Sequence, residues 1–418
     1  MIVLLKKVRV NTIFSAFEPI IVEPLELCYL KTVLNNINIE NYIVDELLNL
    51  NEPTNKTPDA VVLTGYNVAE QEIIKEAKRY KSKYPNCKVI VGGVHVQRNA
   101  HEFKIKEIDY IFSTQSLSVF EKLISNLANN IDSPIEGINF NNNVVLSETE
   151  NITPNRSLFY EVSNKLHYLE KRNIALIKGS IGCPYKCSYC YCKLVNNGQY
   201  IKTNYEKVIS EMECINADYF WIVDDVLFTT RNDALDFINI IKQKNLKLKI
   251  IGYLRADFIL KEKDLLPTLK EAGLTEVIIG FEATDNNELK NYSKTTNALD
   301  YPEVISLLKL NNIELTALFM VKPDYKVSDF LKLYKFIKKN KIEVYTISIL
   351  TPIKGTKDYE LQKDYLTTTN PKKFDFLHLV FKSKLPKWLF YSLFYMVHIR
   401  LLKSKRIWQY ILKKQVKL

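Results

Sequence analysis

The sequence predicts an α/β protein made of two successive strand–helix units closed by a short helical tail. Three observations predict it. Short apolar runs alternate with amphipathic stretches over residues 1–130. The same alternation resumes at Ile174 and runs through six strands, and from residue 361 the chain turns aromatic, basic and helix-permissive. The expected organisation is 1–130 for the first unit, 131–172 for a linker, 173–360 for the second unit and 361–418 for the tail.

In the first unit, strands are expected at Ile2–Val8, Ile39–Asp45, Ala60–Thr64, Lys88–Val91 and Ile108–Phe112. Helices are expected at Glu23–Asn36, Ala69–Lys81 and Leu117–Ala128. Such alternation predicts a doubly wound, Rossmann-like parallel sheet, which binds ligands beyond the carboxyl ends of its strands. Those ends carry Thr64-Gly65-Tyr66, Gly92-Gly93-Val94-His95 and Ser113-Thr114. Thr64, Gly65, Gly92, Gly93, His95, Ser113 and Thr114 are therefore candidate cofactor contacts, the paired glycines admitting a ligand close to the backbone. His95 taken alone reads as a hydrogen-bonding loop residue before it reads as a metal ligand, and the other histidines form no spaced pair. The linker is Asn-rich, and residues 137–148 are expected to form a small hairpin about an Asn turn.

The second unit opens on Ile174–Ile177, followed at once by GSIGCPYKCSYCYC, residues 179–192. Cys183, Cys187 and Cys190 stand in C-x3-C-x2-C spacing on one short loop. Three thiolates there can hold three irons of a 4Fe–4S cluster; such clusters are usually held by four cysteines, so one iron stays open to a small molecule. A zinc site using the same three plus Cys192 is the alternative, but structural zinc sites pair separated two-ligand knuckles. Cys28, Cys87 and Cys214 are isolated, so no second knuckle exists. Cys192 is expected to be structural. Further strands are expected at Tyr219–Val223, Leu248–Tyr253, Val277–Gly280, Leu315–Val321 and Tyr345–Ile349, with helices at Tyr205–Ile215, Asn232–Lys242, Glu262–Ala272, Tyr301–Leu310 and Asp329–Lys339. Functional groups in α/β barrels sit at strand carboxyl ends. Here those ends hold Asp224 and Asp225, Arg255 and Asp257, then Gly280-Phe281-Glu282.

The cysteine loop, with Tyr189 before its last cysteine, resembles the signature of the radical S-adenosylmethionine (radical SAM) superfamily. The resemblance implies a partial (βα)6 barrel, S-adenosylmethionine chelated to the open iron, and reductive cleavage giving a 5′-deoxyadenosyl radical. It also implies an external electron donor. The strand-end segments resemble those of radical SAM proteins that carry a cobalamin domain. That likeness implies cofactor contacts at Tyr189, Asp224, Asp225, Asp257 and Gly280, with Arg255 for the carboxylate and Glu282 for the ribose. EPLELCYLKTVL, DAVVLTGYNV, NCKVIVGGVHV and IDYIFSTQS together resemble the cobalamin-binding domain that precedes such cores. There is no D-x-H-x-x-G, and Thr114-Gln115-Ser116 stands where an acidic Gly-Glu segment is usual. The family likeness implies hydrogen-atom abstraction from an unactivated carbon of a small or lipid-like substrate. Methyl transfer from cobalamin would follow, or, without cobalamin, cyclisation, rearrangement or elimination. An iron–sulfur or zinc binding module is the non-enzyme alternative.

The net charge of +11 looks like a nucleic-acid signal until it is located. Residues 371–418 hold twelve Lys or Arg against one acid, Asp375, which accounts for all of it and leaves the body net neutral. Nucleic acid is therefore not expected as a partner. No apolar run approaches the about 18 residues of a membrane span, and a cytoplasmic location suits both the unpaired cysteines and a cluster. The tail admits two readings: a helical pair packed on the barrel, or a peripheral contact with an anionic inner leaflet.

Overall fold

Alternate residues of the N-terminal strands face opposite sides, and both sides are covered. The computed structural model describes residues 1–10, 18–139, 152–192, 195 and 198–415. Strands β1 (Ile2–Lys7), β2 (Glu40–Val44), β3 (Ala60–Thr64), β4 (Lys88–Gly92) and β5 (Tyr110–Ile111) form a fully parallel sheet in the order β2-β1-β3-β4-β5. Leu4, Val61, Leu63 and Val91 pack under Ile73, Ala77 and Tyr80 of α2 (Glu70–Lys83). Val3, Leu5, Val62 and Ile90 pack under α1 (Leu25–Asn36) and α3 (Leu117–Ala128). This is the doubly wound arrangement, apolar on both faces. The strand order reverses between β1 and β3, so the ligand crevice of such a sheet opens beside Lys7 and Thr64.

The expected hairpin at 137–148 falls largely outside the described residues. Ile138, at its start, bridges to Phe112.

Six parallel strands in sequential order make the second sheet: β6 (Ile174–Ile177), β7 (Tyr219–Ile222), β8 (Ile250–Tyr253), β9 (Leu274–Glu282), β10 (Glu314–Val321) and β11 (Val344–Ile349). The first and last are not paired, so the barrel is partial. One expected helix, Glu262–Ala272, is divided. Helix Ala256–Lys261 ends there, a 3-10 turn covers Lys263–Leu265, and Leu266–Glu271 restarts with Pro267 in its first turn. Proline lacks the N–H that a continuous helix would need and suits a helix start.

The tail packs on the barrel. Helix α4 (Lys387–Ile399) lays Phe390 edge-on against Phe330 at 5.2 Å, and the Tyr345 hydroxyl donates to Val397 O at 2.6 Å. Helix α5 (Lys405–Gln415) puts Arg406 beneath the barrel, 2.8 Å from the fully buried Glu276 carboxylate, which Lys171 also meets at 2.8 Å. Among the described residues no helix is long and apolar enough to cross a membrane.

The two sheets meet with their carboxyl edges facing a common space. Lys354, beyond β11, reaches Glu70 at 3.2 Å, and the Asn67 side chain donates to Phe374 O at 2.9 Å.

Candidate active site

The cysteine loop is held at several points along its length. At its start, the Asp224 carboxylate accepts the backbone N–H groups of Gly179 at 2.7 Å and Ser180 at 3.0 Å. Gly182 has φ +79°, and a Cβ there would lie 2.8 Å from Gln199 O, so only glycine turns the chain here. The ring of Tyr185 lies under the Arg255 guanidinium at 3.9 Å, and Arg255 is itself fixed by Asp257 at 2.6 Å and by the Thr295 hydroxyl at 2.7 Å. The Ser188 N–H donates to Tyr292 O at 3.0 Å, and Tyr189 stands edge-on to the Tyr292 ring at 5.3 Å.

Cys183, Cys187 and Cys190 are half-buried and line one cavity. Burial pushes the Cys183 thiol up to about 11, whereas a hydrogen bond from Cys192 outweighs burial at Cys190 and lowers it, favouring the thiolate. The Cys192 thiol is pushed up by that same bond and by burial, and it also meets Asp225. Among the described residues no three Cys, His, Asp or Glu side chains are drawn together as for a single metal ion. A cluster spaces its ligands more widely, because each thiolate takes a different iron. Three thiols on one braced loop, not drawn to a single point, fit a cluster better than a lone zinc.

Opposite the loop, β9 ends in a bulge. Its register shifts between Gly280 and Glu282, and Glu282 adopts φ +63°, a conformation rare for a non-glycine residue. Lys294 donates to Gly280 O and to the Glu282 carboxylate at 3.2 Å. A Cβ on Gly280 would lie 2.2 Å from Glu282 Oε1, so the glycine leaves room for that carboxylate to fold back over the strand. Tyr189 is pushed up by burial and then by Glu282, which places the phenol and the carboxylate together.

The cavity is about 1250 Å³, beyond the 300–1000 Å³ usual for one small ligand. Its barrel side is lined by Trp221, Tyr253, Ile278 and Leu318 beneath the polar rim of Asp225, Arg255, Gly280, Glu282 and Lys294. Its other side is the carboxyl edge of the first sheet, with Thr64, Gly65, Gly92, Gly93, His95 and Thr114. From there an apolar arm runs between sheet and helices, past Leu27, Leu30, Val62, Ile90, Phe112 and Phe120.

Asp224 lines the cavity but spends its carboxylate on the loop backbone, and Asp257 secures Arg255. Ser113 stands outside the lining, its N–H donating to Gly137 O at 2.8 Å. His95 lies on a short helix, Val94–Arg98, rather than in a loop. Both its ring nitrogens are engaged, Nε2 by Glu70 at 2.9 Å and Nδ1 by Asn99 at 3.3 Å. Gly65 and Gly93 answer to their own packing, since a Cβ would meet Ala69 at 2.9 Å or the Thr64 hydroxyl at 2.7 Å. Sequence reasoning missed Lys294, Tyr185 and the contact of Cys192 with Cys190 and Asp225. Tyr185 sits inside the cysteine loop and was open to inference; nothing in the sequence around Lys294 singles it out.

Residues 177–337 match the model of the radical SAM superfamily. Hopanoid C-3 methylase of Methylococcus capsulatus is 25% identical over 350 residues, 80% of this chain and 67% of that enzyme. Anaerobic magnesium-protoporphyrin IX monomethyl ester cyclase of Synechocystis is 24% identical over 350 residues, 79% of this chain and 69% of that one. Among solved structures, the radical S-adenosylmethionine methyltransferase TsrM of Kitasatospora setae, with cobalamin and a [4Fe-4S] cluster bound, is similar with a TM-score of 0.64. The likeness spans 88% of this chain and 76% of TsrM; at 15% identity it concerns the fold alone.

Proposed function

We propose, from the premise that this chain is a radical SAM enzyme, that it methylates an unactivated carbon of an apolar, lipid-like small molecule with cobalamin as methyl carrier. The observation that carries this reading is the single cavity shared by the cysteine loop and the carboxyl edges of both sheets. When bound, the cluster with S-adenosylmethionine supplies a carbon radical that takes a hydrogen atom, and cobalamin supplies the methyl group.

Cys183, Cys187 and Cys190 would hold the cluster. Glu282, Asp225 and the backbone at Gly280 offer acceptors for an ammonium and ribose hydroxyls, and Arg255 offers a cation for a carboxylate. The apolar walls at Trp221, Tyr253, Ile278 and Leu318 would orient a hydrocarbon and keep water from the reacting carbon. The apolar arm past Val62 and Phe112 suits the flat tail of a large cofactor. His95 does not fit as a cobalt ligand, because Glu70 and Asn99 already take its nitrogens. Cobalamin would be held here by shape. The expected external electron donor and cytoplasmic location belong to the same proposal.

The second reading is cyclisation or rearrangement without cobalamin, favoured by the similarity to the cyclase. Reduced protein loaded with cluster and cobalamin, incubated with methyl-labelled S-adenosylmethionine and bacterial lipid extract, tests the choice. Label in an apolar product together with 5′-deoxyadenosine supports methylation; 5′-deoxyadenosine with an unlabelled product supports the second reading.

A further inference from the structure

The tail's inward faces are satisfied by the barrel, yet its outward face is unusually apolar. On α4, Trp388, Tyr395 and Ile399 are exposed, Trp388 at 71% and Ile399 at 63%. At about 100° per residue these positions fall on one narrow stripe, opposite the buried Phe390, Leu393, Phe394 and Val397. Leu402 continues it, and Trp408 of α5 joins it by donating its indole N–H to Leu402 O at 2.6 Å. Leu412 follows one turn on, 56% exposed. Lys382, Lys384, Lys387, Lys403 and Lys405 flank the stripe, all exposed and without an ion pair among the described residues.

We propose that this two-helix face is a docking surface for an anionic lipid monolayer, with Trp388, Ile399, Leu402, Trp408 and Leu412 entering the acyl boundary and the lysines meeting headgroups. Apolar and aromatic residues edged by lysines are the composition of an interfacial helix, and neither helix needs to span the bilayer. A second copy is a poor occupant, because it would set this lysine-rich edge against itself. The face runs from the Lys384 N–H, which donates to Pro323 O at 2.9 Å beyond the end of β10, down to Arg406 beneath the barrel. The inference goes beyond the reaction, since docking does not depend on what the cavity does.

The test is flotation of the cluster-loaded full chain with phosphatidylcholine vesicles, with and without phosphatidylglycerol. The protein is expected to float with the anionic vesicles and less with the neutral ones. Trp388→Ser with Ile399→Glu should cut the bound fraction about tenfold while the melting temperature is kept. Leu310→Ser, at a 79% exposed position on the barrel, should float like the parent. A parent that stays unbound, a double variant that floats equally, or a dimer that the double variant splits would each overturn the proposal. S-adenosylmethionine cleavage in vesicle-free buffer reports separately on the reaction.

Discussion

Arg255 lies flat over the ring of Tyr185, 3.9 Å from its centroid, and so ties the end of the third barrel strand to the cysteine loop. The same guanidinium is gripped by Asp257 and Thr295, which leaves it little freedom to swing away. Arg255→Ala should therefore loosen the loop, lowering bound iron and acid-labile sulfide after reconstitution and slowing S-adenosylmethionine cleavage by about 10- to 100-fold. Arg255→Lys should recover little of either, because an ammonium neither stacks nor forks like a guanidinium. Full iron content in the alanine variant would refute the bracing role.

Two glycines near the site should respond differently to alanine. At Gly182 the new Cβ meets backbone, Gln199 O, in a left-handed conformation, so the fold itself suffers by about 1–3 kcal/mol. At Gly280 it meets the ends of two flexible side chains, Glu282 and Lys294, which can swing aside. Gly280→Ala should keep its melting temperature but bind S-adenosylmethionine more weakly, with Gly182→Ala showing the reverse order of effects. Thermal melts and equilibrium binding on both variants decide it.

The buried pair under the barrel predicts an acid-limb effect. Burial pushes the Glu276 carboxyl up, but Arg406 and Lys171 outweigh it and hold it below its ordinary 4.5. A depressed folded value means stability that is complete above about pH 4.5 and lost as pH falls through the folded value. Arg406→Ala should cost about 3 kcal/mol at neutral pH and flatten the acid limb of the melting curve. An unchanged pH profile would show that Lys171 alone carries Glu276.

His95→Gln should leave the absorption spectrum of bound cobalamin unaltered, because the imidazole is committed to Glu70 and Asn99. A spectrum that shifts on substitution would mean that the ring leaves Glu70 for cobalt.

Much of this was legible in the sequence where periodicity and packing agree. Ala60–Thr64, Leu117–Ala128, Ile174–Ile177 and Tyr301–Leu310 form with the bounds their patterns suggest, each a run with a buried apolar face. Strand Ile108–Phe112 shrinks to Tyr110–Ile111, since it is the last strand of the sheet and its outer side meets only an isolated bridge, Phe112 to Ile138, rather than a further strand. The rest was illegible because it depends on partners remote in sequence. Lys354 finds Glu70 across 284 residues, and Lys294 acquires its place only when the β9 bulge folds Glu282 toward it. The tail's two alternatives could not be separated either. Burial of Phe390 and Arg406 shows that it packs on the barrel, while exposure of Trp388 and Ile399 leaves a second face to be used.

The central claim is that one cavity serves both halves of the chain, and anaerobic purification with cobalamin supplied tests it most directly. The absorbance spectrum and extracted cofactors are then read together. The account predicts cluster absorption with about one cobalamin per chain, and loss of the cluster alone on Cys187→Ala. A cluster with no cobalamin retained would contradict it, leaving the barrel and its cluster intact but removing methyl transfer from the proposed chemistry.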